Sequence, residues 1–318
     1  MILFLWSLLG IFSQLAFIRL FTTVCGATAY FGNIFLILAI FTQAVGFFTQ
    51  RLRRFISLLP LFITLSFFLC MWLGRFNLIQ TMPWEFQWTA VANIYPKESD
   101  FDLQLAILLL GISLVPCIML IGSRQGAALC ERGYRYAGYV IIAAGGVAGA
   151  VIFTLQNQYF PDLIVLLSVW VLMTGGLVAW EVRRPIWMAL AVAPLLAVIS
   201  SGYVYSTARI WSPYQRIDAF FSESSDKVVF LANGFYISSA SRLPVEKIDP
   251  QTRLNMSLAV PCIQPGDRVL VLGSGGGTTD VREAIHAGAR EIIAVEIDPR
   301  FIERSEEHTS ELQSRQSI

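Results

Sequence analysis

Charged residues are scarce in this chain: only 14% of its 318 residues are Asp, Glu, Lys or Arg, while 55% are hydrophobic. This ratio exceeds what a soluble globular chain buries in one core, so we expect a lipid bilayer to be part of its surroundings. The net charge is only +1, and Lys and Arg form no dense cluster. We therefore exclude nucleic acid as a partner.

Residues that bind metals or form disulfide frameworks are also few. The chain has five cysteines and two histidines, with neither a CxxC motif nor a Cys/His ligand spacing. This pattern predicts neither a zinc site nor a set of structural disulfides. We interpret the cysteines as small buried hydrophobic side chains, and we expect no metal cofactor.

Long hydrophobic runs, in contrast, fill the first two thirds of the chain. A helix needs about 20 apolar residues to cross the ~30 Å hydrocarbon layer of a bilayer. The runs that approach this length are Ile2–Phe21, Ala29–Phe48, Ile56–Gly74, Leu103–Gly122, Tyr136–Gln156, Leu163–Trp180 and Ile186–Tyr205. We therefore predict a multi-pass transmembrane domain of about seven helices over residues 1–205.

Positive charge in the short connections predicts the orientation of these helices. Arginines follow the second, fourth and sixth spans, namely Arg51, Arg53, Arg54, Arg124, Arg132, Arg135, Arg183 and Arg184. These connections and the N-terminus are therefore expected in the cytoplasm. An odd seventh span then carries the residues after Tyr205 to the external side, where nucleotide-like cofactors are scarce. Either one span does not cross or the soluble part is external, and the sequence leaves that choice open.

Two polar residues lie inside the first span, Gln14 and Arg19. Polar groups are costly in lipid and by default indicate a functional position. For Arg19, near the helix end, the alternative is that its side chain snorkels to the membrane interface. Small residues in the fifth and sixth spans predict close helix packing, and they are Gly145, Gly146, Gly149, Gly175 and Gly176.

The pattern changes after Tyr205. Val228–Ala232 and Phe235–Ser238 have the composition of strands, and Asn233-Gly234 between them is a strong hairpin signal. We predict a β-hairpin unit with a linker over residues 206–260.

A glycine-rich turn follows the next strand. Arg268–Leu272 has the apolar composition of a parallel strand buried on both faces, and it runs directly into residues 273–277. Glycines there allow a tight turn and let backbone N–H groups approach a ligand. A helix with a capping box at Asp280 and Glu283 comes next, and then a second strand, Glu291–Val295. This order predicts the start of a Rossmann-like α/β domain over residues 261–303.

Acidic residues end that second strand. Glu296 lies 23 residues after Gly273, and Asp298 follows it. A carboxylate at this place can accept hydrogen bonds from both ribose hydroxyls of a nucleoside whose tail lies over the glycine turn. The alternative is a glycine-rich loop that only packs. The predicted cofactor-binding residues are Gly273, Ser274, Gly275, Gly276, Gly277, Glu296 and Asp298.

The motif VLVLGSGGGTT followed by IIAVEIDP resembles the cofactor-binding start of the spermidine synthase (polyamine aminopropyltransferase) family, which is close to class I S-adenosylmethionine-dependent methyltransferases. Residues 212–217 and the segment VVFLANGFYIS are similar to that family's N-terminal β-unit. The first spans resemble the membrane segment fused to such domains in many bacteria. The resemblance implies that Glu296 binds the ribose of decarboxylated S-adenosylmethionine, and that Gly273, Gly275 and Gly277 line its sulfur-bearing tail.

The amine-substrate side departs from the family. Leu254-Asn255-Met256 stand where soluble synthases have Tyr-His-Glu, and Gly276 stands where they have Asp. A diamine site needs carboxylates to replace lost hydration, so these departures argue against putrescine as the small amine substrate. The family's catalytic Asp belongs to a later strand beyond Glu303, so no catalytic residue is assigned.

The last residues look foreign to the rest of the chain. Arg304–Ser314 (RSEEHTSELQS) resembles one translated reading frame of a sequencing adapter, so residues 304–318 are interpreted as an adapter-derived tail. We expect the native sequence to continue differently beyond Glu303. Two parallel strands and one helix cannot cover both faces of a sheet. Residues 268–303 are therefore expected to be the least stable segment unless they pack against the β-hairpin unit or the membrane.

Three functional hypotheses follow. The first is a spermidine-synthase-like transferase in the bacterial inner membrane that moves an aminopropyl group to an amine, with the present chain an inactive fragment. The second is an S-adenosylmethionine-dependent methyltransferase. The third is a transporter or scaffold with a non-catalytic Rossmann-like appendage. Homo-oligomerisation stays open in all three.

Overall fold

The computed structural model describes residues 1–24, 32–66, 103–131, 133, 136–183, 209–222, 227–232, 235–241, 262–274 and 280–303. The chain forms two compact units, Met1–Ser206 and Thr207–Ile318. Several predicted features lie outside the described residues, namely the seventh span, Asn233-Gly234, Leu254-Asn255-Met256, Gly275, Gly276, Gly277 and the tail after Glu303.

The first unit is helical. Its described helices are α1 (Ile2–Val24), α2 (Gly32–Phe48), α3 (Leu103–Glu131), α4 (Tyr136–Tyr159) and α5 (Leu163–Val182). Among the described helices α1, α4 and α5 are long and apolar enough to span a membrane, and α2 with the helical residues after it adds a fourth if the bent pair is one span. Membrane-compatible helices are thus confirmed, while the count of seven stays a prediction.

A sharp bend follows α2. The 3₁₀-helix Gln50–Leu58 continues as α-helix over residues 59–66, and this helical segment is bent by 112° from α2. Arg51, Arg53 and Arg54 occupy the 3₁₀-helix, and all three are exposed. Because three of its nine residues are charged, this segment does not continue along the axis of the apolar helix α2.

Helix α3 extends to Glu131, past its predicted end at Gly122. Polar side chains just beyond Gly122 find partners on other helices. The Ser123 hydroxyl donates to the Thr49 carbonyl at 3.1 Å, and the Gln125 amide donates to the Trp6 carbonyl at 3.0 Å. Hydropathy alone ended the helix early because it does not register these buried hydrogen bonds.

Glycines bring pairs of helices into backbone contact. The carbonyl oxygens of Phe4 and Leu8 in α1 occupy the space that side chains at Gly145 and Gly149 in α4 would need. This contact confirms the predicted close packing of those two glycines. Gly176 in α5 differs, because a side chain there would meet nothing described within 4 Å. The sequence analysis missed a second such contact, in which Gly122 and Gly126 of α3 pack against the α2 carbonyls of Gln43 and Phe47.

The second unit contains two sheets. Strands β1 (Arg209–Trp211), β2 (Arg216–Ser222), β3 (Lys227–Ala232) and β4 (Phe235–Ser241) form an antiparallel sheet in that order. Strands β5 (Arg268–Leu272) and β6 (Glu291–Val295) form a parallel pair, and α6 (Asp280–His286) lies between them in sequence. The predicted hairpin corresponds to β3 and β4, whereas β1 and β2 were not predicted.

The parallel pair is not buried on both faces, contrary to the expectation for β5. Val271 is buried, but Leu270 is exposed and Leu272 is 72% exposed. In the helix α6 between the two strands, Ala284 is fully buried. Two strands flanked by one short helix cover too little surface to bury both faces of a sheet, which explains the difference.

A helical turn over residues 299–303 joins the parallel pair to the antiparallel sheet. Phe301 is buried with Ile217, Ala219 and Phe230 in one apolar cluster. The rings of Phe230 and Phe301 have centroids 5.4 Å apart. The end of the segment 268–303 therefore packs against the β-unit, which is the exception allowed in the expectation that this segment is the least stable one.

Candidate functional site

The glycine turn starts at Gly273, directly after β5. Its φ of +70° lies in the left-handed region, which glycine adopts without strain. A side chain at this position would meet no described atom within 4 Å. Space next to the backbone is what a ligand tail needs if it is to lie over the turn.

The turn is tied to the end of β6. The backbone N–H groups of Gly273 and Ser274 donate to the Val295 carbonyl at 2.8 and 3.1 Å. These two amides therefore bond within the protein. Under the nucleoside-binding hypothesis, the amides that would contact the ligand are then those of residues 275–277. The same bonds place Gly273 and Ser274 beside the residue that precedes Glu296.

Glu296 follows Val295 at the carboxyl end of the parallel pair, where Leu272 and Val295 are paired in register. Its side chain is partly exposed. Its Oε1 accepts a hydrogen bond from the backbone N–H of Asp298 at 3.0 Å, which folds the carboxylate over the turn it begins. The structure thus brings Glu296 to the same edge as the start of the glycine turn.

Asp298 has a different environment from Glu296, because its side chain is fully buried at 0% exposure. Its Oδ2 accepts hydrogen bonds from the Ser212 hydroxyl at 2.6 Å and from the Gln215 side-chain amide at 3.3 Å. Its Oδ1 accepts one from the backbone N–H of Arg300 at 3.1 Å. Both carboxylate oxygens therefore form hydrogen bonds within the protein. A direct contact between Asp298 and a cofactor has no geometric support.

The loop that receives Asp298 is itself organised by Ser212. The backbone N–H groups of Tyr214 and Gln215 donate to the Ser212 hydroxyl oxygen at 3.1 and 3.0 Å. This is a serine turn followed directly by Pro213, a local signal that sequence reasoning could have used. The sequence analysis noted residues 212–217 only as part of a family resemblance and missed their contact with Asp298.

A buried ion pair stiffens the strand that follows this loop. Arg216 Nε lies 2.7 Å from Asp218 Oδ2, and both side chains are buried. The pair stands at the start of β2, four and six residues after Ser212. It fixes the strand that carries Ile217 and Ala219 into the cluster with Phe301.

The described parts of the chain contain no group of three or more His, Cys, Asp and Glu side chains arranged to hold a metal ion. Comparisons with protein-family models, with curated proteins and with solved structures found no match for this chain.

Proposed function

We propose that the chain is a multi-pass protein of the bacterial inner membrane whose second unit carries the nucleoside-binding part of a spermidine-synthase-like transferase. One observation supports this most: the first two amides of the glycine turn bind the carbonyl of Val295, so that Glu296 lies at the same edge as the turn. This is the arrangement in which a Rossmann-like unit holds a nucleoside between its first two strands.

The residues present fit an adenosyl-sulfonium cofactor, either decarboxylated S-adenosylmethionine or S-adenosylmethionine. The partly exposed Glu296 carboxylate accepts hydrogen bonds from the ribose hydroxyls. The open space at Gly273 leaves room for the sulfur-bearing tail. Ile297, next to the acid and 72% exposed, offers an apolar surface for the base.

When bound, the cofactor would supply an electrophilic carbon attached to a sulfonium sulfur. An amine nitrogen would form a bond to that carbon as the carbon–sulfur bond breaks, so that the neutral thioether leaves and the amine's proton passes to solvent. The contribution of this chain is to orient that carbon, because fixed geometry converts an encounter between two reactants into an effectively unimolecular step. Asp298 and Ser212 act as positioning residues in this scheme. They anchor the turn whose Asp298 N–H holds the Glu296 carboxylate.

The experiment uses the full chain purified in detergent and 5′-methylthioadenosine, an adenosine with a short sulfur tail, as the calorimetric probe. Glu296→Gln is expected to weaken binding at least about tenfold, because a charge-assisted hydrogen bond to the ribose becomes a neutral one. Glu303→Gln, an exposed acid in the same unit that pairs with Arg300, is the matched control and should bind like the wild type. Equal affinities for the wild type and Glu296→Gln would overturn the proposal.

A methyltransferase is the second candidate, favoured by the sequence at the amine side. Leu254-Asn255-Met256 and Gly276 lack the carboxylates that a polyamine site requires. The two candidates differ in cofactor, so competition against 5′-methylthioadenosine separates them. Tighter binding of intact S-adenosylmethionine than of its decarboxylated form supports the methyltransferase, and the reverse order supports aminopropyl transfer.

A transporter or scaffold is the third candidate, favoured by polar side chains buried among the apolar helices. Arg19 is only 8% exposed, so its side chain is buried within the first unit. A compartment-sensitive reporter fused to the C-terminus tests this hypothesis. An external reporter favours it, because adenosyl cofactors are made and used inside the cell.

A further inference from the structure

Three glutamines on three helices form one directional chain of hydrogen bonds. The amide of Gln14 in α1 donates to Gln43 in α2, and Gln43 donates to Oε1 of Gln125 in α3 at 2.7 Å. Gln125 in turn donates to the Trp6 carbonyl at 3.0 Å. Gln14 is 3% exposed and Gln125 is 2% exposed. Buried amides in apolar helices either join the helices by hydrogen bonds or mark a functional position.

The three glutamines do not use all of their N–H donors within the described residues. A glutamine amide has two N–H donors, and each of the three uses one of them within the described residues. One donor on each amide is therefore available to a ligand. A side chain at Gly10 would lie 2.8 Å from Nε2 of both Gln43 and Gln125, so these two donor groups lie close together above a glycine.

These amides line a cavity of about 270 Å³ together with apolar side chains that include Ile40, Phe47 and Phe48. Pockets for drug-sized ligands measure about 300–1,000 Å³, so this cavity suits a single ring and not a whole two-chain lipid. Ile40 is exposed and Phe48 is 83% exposed on the surface of the first unit. The cavity is thus open at the surface of the first unit, where a ligand can enter.

The chemistry of the lining selects an uncharged hydrogen-bond acceptor. Among the residues that the structure describes, no Asp, Glu, Lys or Arg lines the cavity, so a cation or an anion would lose its hydration there without a partner charge. The spare N–H groups need an acceptor such as a carbonyl oxygen. The flat ring of Phe47 and the aliphatic Ile40 provide surfaces on which an apolar ring can pack.

The depth of Gln14 along α1 indicates which carbonyl compound of a bilayer could reach the cavity. Gln14 lies about 18 Å along α1 from Ile2, near the middle of a 23-residue helix. The ester carbonyls of glycerolipids stay at the edge of the ~30 Å hydrocarbon layer because charged or polar headgroups hold them there. An uncharged quinone ring on an apolar tail has no such restraint and reaches this depth.

We propose that this glutamine-lined cavity binds the ring of a membrane quinone, with its carbonyl oxygens accepting hydrogen bonds from the spare N–H groups of Gln43 and Gln125. The binding is independent of the nucleoside site in the second unit. It gives the helical unit a ligand of its own beyond anchoring the chain.

The test uses the full chain in detergent on a gel-filtration column equilibrated with decyl-ubiquinone, with bound quinone measured by absorbance. The wild type should bind saturably, with one quinone per chain. Gln43→Leu removes a donor, and Ala44→Phe fills the cavity without removing any amide. Each variant should bind at least about tenfold more weakly. Gln156→Leu in α4, a buried glutamine outside the cavity, and Val151→Phe on the exposed face of α4 should bind like the wild type.

Two competitors distinguish the carbonyl ring from other apolar molecules. Decylbenzene has the tail and a ring without carbonyls, and a short-chain diacylglycerol has ester carbonyls without the ring. Neither should displace the quinone at equal concentration. The proposal is overturned by absent or unsaturable binding, by wild-type affinity in Ala44→Phe, or by equal displacement with either competitor. Circular dichroism checks each fold, and Ala44→Phe decides the question if Gln43→Leu does not fold.

Discussion

The Ser212 hydroxyl donates a hydrogen bond of 2.6 Å to the buried carboxylate of Asp298, 86 residues later in the chain. This bond joins the loop between β1 and β2 to the turn that follows β6. The same turn holds Glu296, whose Oε1 accepts the backbone N–H of Asp298. The antiparallel sheet therefore helps to position the carboxylate that we propose binds ribose.

Asp298→Ala should loosen this junction. The change removes three hydrogen bonds, while the Ser212 hydroxyl keeps the Gln215 carbonyl at 3.0 Å as an acceptor, so we expect a loss of about 2–3 kcal/mol in local stability. Hydrogen exchange followed by mass spectrometry measures the loss as faster exchange in residues 296–303. Asp267→Ala, an acid of the same unit that accepts one exposed backbone hydrogen bond, is the control. Equal protection in the two variants would contradict the role given to Asp298.

Phe301→Ala should empty the small core between the antiparallel sheet and the helical turn over residues 299–303. Phe301 is buried against Phe230, and truncation of a buried Phe costs about 3–5 kcal/mol through lost burial and the cavity left behind. We expect faster exchange in β2 and β3 as well as in residues 299–303. The neighbouring Ile302→Ala should have a much smaller effect because Ile302 is 38% exposed. If β2 and β3 keep their protection in Phe301→Ala, the helical turn does not share a core with the antiparallel sheet.

Gly149→Ala should push α4 away from α1. The added methyl group meets the Leu8 carbonyl, a backbone atom that cannot move aside by a change of rotamer, so we expect about 1–3 kcal/mol of destabilisation. The matched change Gly176→Ala meets no described neighbour within 4 Å and should be neutral or slightly stabilising through its higher helix propensity. Thermal unfolding in detergent compares them. An equal Tm for both variants would count against close α1–α4 packing.

Removal of the partner of a charged side chain buried among the helices should lower the stability of the helical unit. The Arg124 guanidinium pairs with Glu181 and, at 3.2 Å, with Glu131, and Glu181 Oε2 also accepts the Trp6 indole N–H at 2.9 Å. Removal of one partner of a buried pair costs up to about 3–5 kcal/mol, and less where a second partner such as Glu131 is kept, whereas replacement of both partners by apolar residues of similar size is close to neutral. Glu181→Met should therefore lower the Tm more than the double variant Arg124→Met/Glu181→Met. A double variant no more stable than Glu181→Met would argue that the pair itself stabilises the fold.

Much of the helical unit could be predicted because lipid imposes a simple rule on composition. α1, α4 and α5 follow directly from runs of apolar residues. The bend after α2 and the extension of α3 could not be predicted in this way. Both depend on polar side chains, such as Ser123 and Gln125, whose partners lie far away in sequence.

In the candidate site, too, features that depend on local sequence could be predicted and those that depend on distant residues could not. Gly273 and Glu296 were predicted from local order along the chain, and the structure places them at one edge. The sequence pattern assigned Asp298 to the ligand, but its oxygens contact Ser212 and Gln215. An acid after a strand has the same local pattern in either role, and only the approach of a distant loop decides between them.

The position of the nucleoside relative to Glu296 tests the central claim most directly. An experimental structure of the full chain with 5′-methylthioadenosine should place the ribose hydroxyls about 2.6–3.0 Å from the Glu296 carboxylate oxygens, with the sulfur tail over Gly273. A nucleoside bound elsewhere, or a Glu296 side chain that contacts only its own turn while the ligand is present, would contradict it.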